Sequence, residues 1–229
     1  CMSRLLFVVA ALFLSTSSIA SSLTLNPVKI YFPADKTITS MKITNTGTSP
    51  VILQLRLKTW QQNKQGNAIY RKSNSSLLVT PPLFKLLPGE HQIVRFAILT
   101  PLARNEEHSY RLFIDEVVNK QSKQPKGELH IAMRFILPVF VEEAHHTASH
   151  IDYTLASPTK SQQPVTVKNK SSHHIYITNI TLKDKAHKTV GHKKIPANYL
   201  LAHAQQTYNI PIKHKATLAE INYRDDKGP

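Results

Sequence analysis

The sequence predicts an all-β protein made of two sandwiches behind a cleavable signal peptide. Three observations carry that reading. Apolar residues recur with period 2, no stretch beyond the signal shows capped helical periodicity, and one order of segments recurs on either side of a polar stretch. The 229 residues suffice for one large or two modest domains, and 41% of them are apolar. Six glycines beside 14 prolines suit strands and turns fixed by proline more than flexible linkers.

The N-terminus sets the compartment. Arg4 supplies a positive region, Leu5 to Leu14 are apolar, and Ser18-Ile19-Ala20 places small residues where a signal peptidase reads. Ten apolar residues are too few for a helix across a hydrocarbon core of about 30 Å, so residues 1–20 read as a removed signal. Cys1 before Met2 reads as a start assigned upstream of the initiator, since a lipidated cysteine would need its signal before it. The mature chain then has no cysteine, and its sandwiches rest on hydrophobic cores rather than disulfides.

Thr39 to Thr44 reads as a strand ending at the turn Asn45-Thr46-Gly47. Val51, Leu53, Leu55 and Leu57 alternate with Ile52, Gln54, Arg56 and Lys58; Val94, Phe96 and Ile98 alternate with Ile93, Arg95 and Ala97; Tyr110 to Val117 is a further strand. An internal echo follows. Lys42-Ile43-Thr44-Asn45, a polar turn and Val51-Ile52-Leu53 resemble Val165-Thr166-Val167-Lys168-Asn169, a polar turn and Ile175-Tyr176-Ile177. Pro88-Gly89-Glu90-His91-Gln92 before Ile93-Val94 resembles Ala202-His203-Ala204-Gln205-Gln206 before Thr207-Tyr208. The polar stretch Glu142 to Ser149 lies between the two copies. The expected division is a signal over 1–20, a first sandwich over 21–142, a linker over 143–149 and a second sandwich over 150–229.

Lysine and arginine number 29 against 14 acids, and losing residues 1–20 removes only Arg4. Such a field favours acidic or polyanionic partners; solubility, or attraction to anionic lipid, is the plainer reading. No aromatic-basic signature points to nucleic acid. The 12 histidines include the pairs His145-His146 and His173-His174. Strand neighbours point to opposite faces and do not share a metal, so these read as surface or linker histidines, and no metal site is expected. Asp115 and Glu116 diverge for the same reason and read as a strand cap or as partners of basic side chains. With no phosphate-binding glycine loop, no nucleophile elbow and no thiol after processing, no catalytic residue, cofactor or enzymatic activity is expected. Lys183-Asp184-Lys185 and His192-Lys193-Lys194 read as solvated turns.

The most informative segment runs from Leu129 to Val141. In a regular strand Leu129, Ile131, Met133, Phe135, Leu137, Val139 and Val141 share one face. Pattern alone favours a central strand. The alternative is a first half at a sheet edge with its apolar residues open to another chain, a hazard proteins normally suppress.

Four segments in order resemble the periplasmic chaperones of the chaperone–usher pilus pathway. They are Leu25-Asn26-Pro27-Val28-Lys29-Ile30-Tyr31-Phe32, Ile43-Thr44-Asn45-Thr46-Gly47, Thr80-Pro81-Pro82 through Pro88-Gly89-Glu90-His91-Gln92-Ile93-Val94-Arg95-Phe96, and Tyr110-Arg111-Leu112-Phe113-Ile114-Asp115-Glu116-Val117. The run from Pro81 to Phe96 is the most specific. The resemblance covers the first domain well and the second loosely. The Tyr110–Glu116 form and the ending Pro138-Val139-Phe140-Val141 look most like the archaic branch.

The resemblance implies two Ig-like sandwiches set at an angle, a periplasmic location and a pilin client lacking one strand. Donor-strand complementation in this pathway is a standing example of strand addition. It implies that Leu129, Ile131 and Met133, with Phe135 at the end, enter the client's groove. It further implies delivery to an outer-membrane usher without ATP, and basic residues that hold the client's C-terminal carboxylate. Lys29 matches one such position, and the second aligns with Pro138, which has no charge. By resemblance of the Tyr110-Arg111-Leu112 strand to the archaic form, Arg111 is the preferred anchor, with Arg134 and Arg95 as weaker candidates; a solvated face or an ion pair with Asp115 or Glu116 is the alternative for each arginine. Strand pairing would also permit self-association of the free form. Two other readings are a fimbrial structural subunit, which should carry an N-terminal donor extension and one sandwich, and a basic secreted adhesin for polyanionic glycans.

Overall fold

Alternation turns into pleated strands wherever one face finds a core. A computed structural model describes residues 23–73, 76–103, 105–117, 132–145 and 147–225. The expected signal over 1–20, Leu129 and Ile131 lie outside the described residues. Among those described there is no helix.

The first domain packs two sheets. One has the order β1 (Leu23–Asn26), β3 (Ile38–Asn45), β8 (His91–Ile98), β6 (Leu77–Thr80). The other runs β2 (Ile30–Phe32), β10 (Arg134–Val141), β9 (His108–Glu116), β4 (Val51–Gln62), β5 (Ala68–Lys72), with β7 (Leu83–Leu86) also on β4. Met41, Ile43, Val94 and Phe96 from the first sheet meet Leu53, Leu55, Leu112, Ile114, Val139 and Val141 from the second. All are buried, each such side chain contributing about 1.5–3 kcal/mol. The expected strands are present with shifted ends. β9 starts at His108 rather than Tyr110, and β4 runs on to Gln62 because β5 pairs with its far end, Lys58 to Gln62.

The second domain packs β11 (Ile151–Leu155), β12 (Gln162–Asn169) and β15 (Gln205–Pro211) against β14 (Thr189–Leu200), β13 (Ile175–Lys183) and β16 (Leu218–Arg224). Val165, Val167, Ile175, Ile177, Ile180, Leu182 and Ile210 form its core. Both units are Ig-like sandwiches, and the internal echo has a physical basis. Asn45 and Asn169 occupy the same role at the ends of β3 and β12. Each side-chain oxygen accepts the backbone N–H two residues on, at 3.0 Å from Gly47 and 2.9 Å from Ser171. Each side-chain amide caps distant carbonyls, Leu86 in one case and Leu200 and Leu201 in the other. The matching turns place Gly89 and His203 at positive φ, 80° and 56°. Glycine adopts that conformation freely; histidine does so at some cost.

Two readings of the sequence need correction. His192, Lys193 and Lys194 are solvated but lie within β14 rather than in a turn. His173 and His174 are neither surface nor linker residues: they are 4% and 3% exposed, with His174 claimed by Glu107 of the first domain and His173 by Glu143 just after it. Of Lys183-Asp184-Lys185, Lys183 still ends β13 and the turn begins at Asp184, whose carboxylate accepts the N–H of Ala186 and of Lys188.

β10 is asymmetric. Along its whole length it pairs antiparallel with β9, Arg134 opposite Asp115 through Val141 opposite His108. On its other side β2 pairs in parallel with Val139, Phe140 and Val141 only. Among the described residues, Arg134 to Pro138 therefore have a strand on one flank and none on the other. Pro138 sits where the two regimes meet. A proline lacks the N–H a ladder needs, which confines it to such edge positions.

Candidate functional site

Register places the site. The outer face of the six-stranded sheet, turned away from the first core, is laid out in cross-strand rows. Tyr70 opposite Trp60 begins one row, which continues through Ser109 to Phe140 and Tyr31. Lys72, Lys58, Arg111 and Pro138 form the next, and Lys29 precedes Ile30, the partner of Val139, at its end. Arg56, Phe113 and Ile136 form the third. Charge thus gathers in one row, between an aromatic row and a mixed one.

The aromatic row belongs to the junction of the two domains. Trp60 and Phe140 are buried with the second domain's core. Phe140 stacks on His174 at 3.8 Å between centroids. Tyr199 of β14 meets Trp60, Phe140, His174 and Tyr176 at 5.3–5.9 Å. Two carboxylates clasp the junction. Glu107 accepts from His174 Nδ1 at 2.7 Å and from its backbone N–H at 3.3 Å, and Glu143 lies 3.1 Å from His173 Nδ1. The two histidines lie just before β13 and reach different carboxylates, Glu143 and Glu107. Gln62 closes the rim, donating to the Tyr199 carbonyl and accepting from Leu201 N–H, both at 2.9 Å.

Arg111 stands at the centre of the cationic row. Its guanidinium carbon lies 3.6 Å from the Trp60 ring centroid and 5.8 Å from that of Tyr199. Burial pushes its pKa down, and the Tyr70 and Tyr199 phenols, with a side-chain hydrogen bond to Tyr70, oppose the shift. Its Nε is buried without a hydrogen-bond partner, and among the described residues no carboxylate pairs with it. A buried guanidinium donor in that condition calls for an acceptor. Lys58 lies over the Phe113 ring at 4.8 Å. The Lys58–Lys72 end of the row opens on a groove of about 770 Å³ that Arg56, Tyr70 and Leu78 also line.

The other expected residues lie in different settings. Lys29 has its amine 6.0 Å from the Tyr31 ring at the β2 end of the row. Arg134 bonds Asp115, which Arg56 also holds at 2.5 Å. Burial works against ionisation of Asp115, but the two arginines more than offset it and keep its carboxyl below the ordinary range. The ion-pair alternative thus describes Arg134. Arg95 is exposed on β8, in the other sheet. Met133 is half-buried just before β10; its N–H reaches the Glu116 carboxylate at 3.1 Å and its carbonyl accepts Glu116 N–H at 3.0 Å. Phe135 is half-buried against the first domain's own core. Among the described residues, no group of three His, Cys, Asp or Glu is placed to hold a metal.

Sequence reasoning missed Trp60, Tyr70, Tyr199 and Lys58 as surroundings of Arg111. Lys58 was visible as an outward position of its strand. That it lies opposite Arg111 depends on cross-strand register, which no local pattern gives.

These features define a double β-sandwich with a half-covered edge strand and a cationic row beside the aromatic junction of the two domains. Residues 22–144 match the model of the pili and flagellar-assembly chaperone family, PapD N-terminal domain. The chain belongs to that family. It is 26% identical over 144 residues to the probable fimbrial chaperone LpfB of Escherichia coli O157:H7, covering 62% of this chain and 59% of the relative. The chain thus spans less than two thirds of that relative's length. To the chaperone protein caf1M of Yersinia pestis it is 22% identical over 226 residues, 90% of this chain and 81% of the relative. Among solved structures, a chain of the CsuC–CsuE chaperone–tip adhesion subunit pre-assembly complex, from archaic chaperone–usher Csu pili of Acinetobacter baumannii, has the same fold. Its TM-score is 0.64 at 16% identity, covering 89% of this chain and 98% of that one. The YadV chaperone gives 0.61 at 13%, covering 91% and 96%.

Proposed function

We propose that this chain is a periplasmic chaperone of pilus assembly that lends a strand to pilin subunits and delivers them to an outer-membrane usher. The observation that carries the reading is the half-covered β10, whose Arg134–Pro138 segment has a strand on one flank only. A foreign strand adding there gains main-chain hydrogen bonds whatever its sequence, while alternate side chains fix register. Leu129, Ile131 and Met133 fill the client's groove. Phe135, packed on its own core, marks where the lent segment ends. Three buried apolar side chains contribute about 5–9 kcal/mol before association costs. Binding strength of that kind needs no ATP and no catalysed step, and a pilin's own extension can later replace the lent strand.

In this reading Arg111 grips the client's C-terminal carboxylate, and charge-assisted hydrogen bonds of about 1.5–3 kcal/mol fix where pairing begins. Lys29, at the end of the same row, is the secondary candidate. Pro138 holds the position level with Arg111, so the grip depends on β9, which supports placing the chain in the archaic branch. The first domain, 21–142, supplies the lent strand, and the second, 150–229, braces Arg111 through Tyr199.

Changing Leu129, Ile131 and Met133 together to Ser is expected to abolish co-purification of a co-expressed pilin while the thermal unfolding midpoint stays within a few degrees. Undiminished capture would remove strand lending from the account.

A further inference from the structure

A guanidinium on a flexible stem loses rotamer freedom when it grips a carboxylate, and a site that fixes it beforehand binds more tightly. Arg111 is fixed from both domains. Its guanidinium carbon lies over the ring of Trp60, in the neighbouring row of the same sheet, at 3.6 Å from the centroid. Trp60 is itself 5% exposed and held by Phe140 at 6.0 Å and by Tyr199 edge-on at 5.9 Å and 88°. Tyr199 comes from the second sandwich. Its backbone is pinned by Gln62, and its ring meets His174, which Glu107 clasps. A chain of contacts therefore runs from Glu107 through His174, Tyr199 and Trp60 to the guanidinium. A planar cation stacks on such a wall as an ammonium does not, which accounts for arginine here among the lysines of the row.

We propose that Trp60 and Tyr199 are positioning residues for the carboxylate anchor: they set the plane and direction of Arg111, so the second sandwich strengthens the grip on a client through the first. This rests on Arg111 being the anchor. It deepens that reading by giving the junction of the domains a part in recognition as well as in stability.

The test uses the full chain and a peptide copying the C-terminal strand of a pilin subunit, made as the free acid and as the carboxamide. Trp60 is the only tryptophan, so its fluorescence reports binding directly. The native chain should bind the acid about tenfold more tightly than the amide. Tyr199→Leu, which keeps apolar bulk without a ring face, should cut that ratio at least threefold, toward the value of Arg111→Ala. Tyr199→Phe should restore it. A purely structural role would weaken both peptides alike and leave the ratio unchanged. If the native chain shows no preference for the acid, or binds neither peptide, the anchor reading fails and takes this proposal with it. If the native preference is clear and Tyr199→Leu keeps it in full, positioning by Tyr199 is refuted while the anchor stands. Should Tyr199→Leu unfold, Tyr176→Leu, which removes one of the rings that pack on Tyr199, gives a milder version of the same comparison. An undiminished ratio there likewise counts against the proposal.

Discussion

The two halves of β10 are one continuous strand in opposite circumstances. Val139, Phe140 and Val141 are fully buried, with β9 on one flank and β2 on the other. Arg134 to Leu137 share β9 but have no strand beyond them among the described residues, and Ile136 stands 42% exposed. The difference teaches where stability and recognition divide. The second half is a structural member that carries both cores, its odd residues in the first and Phe140 in the second. The first half also sends Phe135 and Leu137 to the first core, but on its free flank it presents an incomplete ladder, which is what a partner strand requires.

The largest effect expected on that contrast comes from the closed half. Phe140→Ala removes a fully buried ring from a stack with His174 and should cost about 4 kcal/mol in chemical denaturation. A loss under about 1 kcal/mol would mean that the junction does not need this half. His174→Leu leaves Glu107 buried without its partner and should cost about 3 kcal/mol, with a lowered unfolding midpoint. Near-native stability there would break the claim that the clasp joins the domains.

In the open half the expected costs are small. Asp115→Asn weakens two exposed ion pairs and should cost below about 1 kcal/mol, because solvent screens both arginines. Its sign with pH is fixed. The folded carboxyl is held below its unfolded value, so its contribution is present above the unfolded pKa and fades as pH falls through the folded one. The native chain should therefore lose stability across that acid window by slightly more than Asp115→Asn does, and equal acid sensitivity would say the pairs contribute nothing. Ile136→Ser, on the exposed outer face, should move stability by no more than about 0.5 kcal/mol. A large loss would show that this half is already integrated into the fold.

Much of this architecture was legible in the residues. Alternation located β3, β4, β8 and β9, and the echo of Asn45 and Gly89 in Asn169 and His203 identified a repeated plan because capping asparagines and positive-φ turns leave local chemical marks. Burial of His173 and His174 was not legible. Their partners Glu107 and Glu143 lie far away in sequence, and a polar residue shows no sign of being buried until its counter-charge is found. Arg111 could be chosen by resemblance, but its cage of Trp60 and Tyr199 depends on register and on contact between domains, neither of which a single strand encodes. Pro138 was read as a missing charge and as part of an archaic-type ending. Its further meaning, a break in the ladder at the point where β2 gives out, required the pairing to be seen.

The most direct test of the open-strand claim is amide hydrogen exchange along β10, with and without a bound pilin subunit. In the free chain the outward amides of Arg134 to Leu137 should exchange far faster than those of Val139 to Val141, and pilin should slow the first group strongly while hardly changing the second. Exchange at Arg134 to Leu137 that stays unaltered in a complex with pilin would contradict strand addition at this edge.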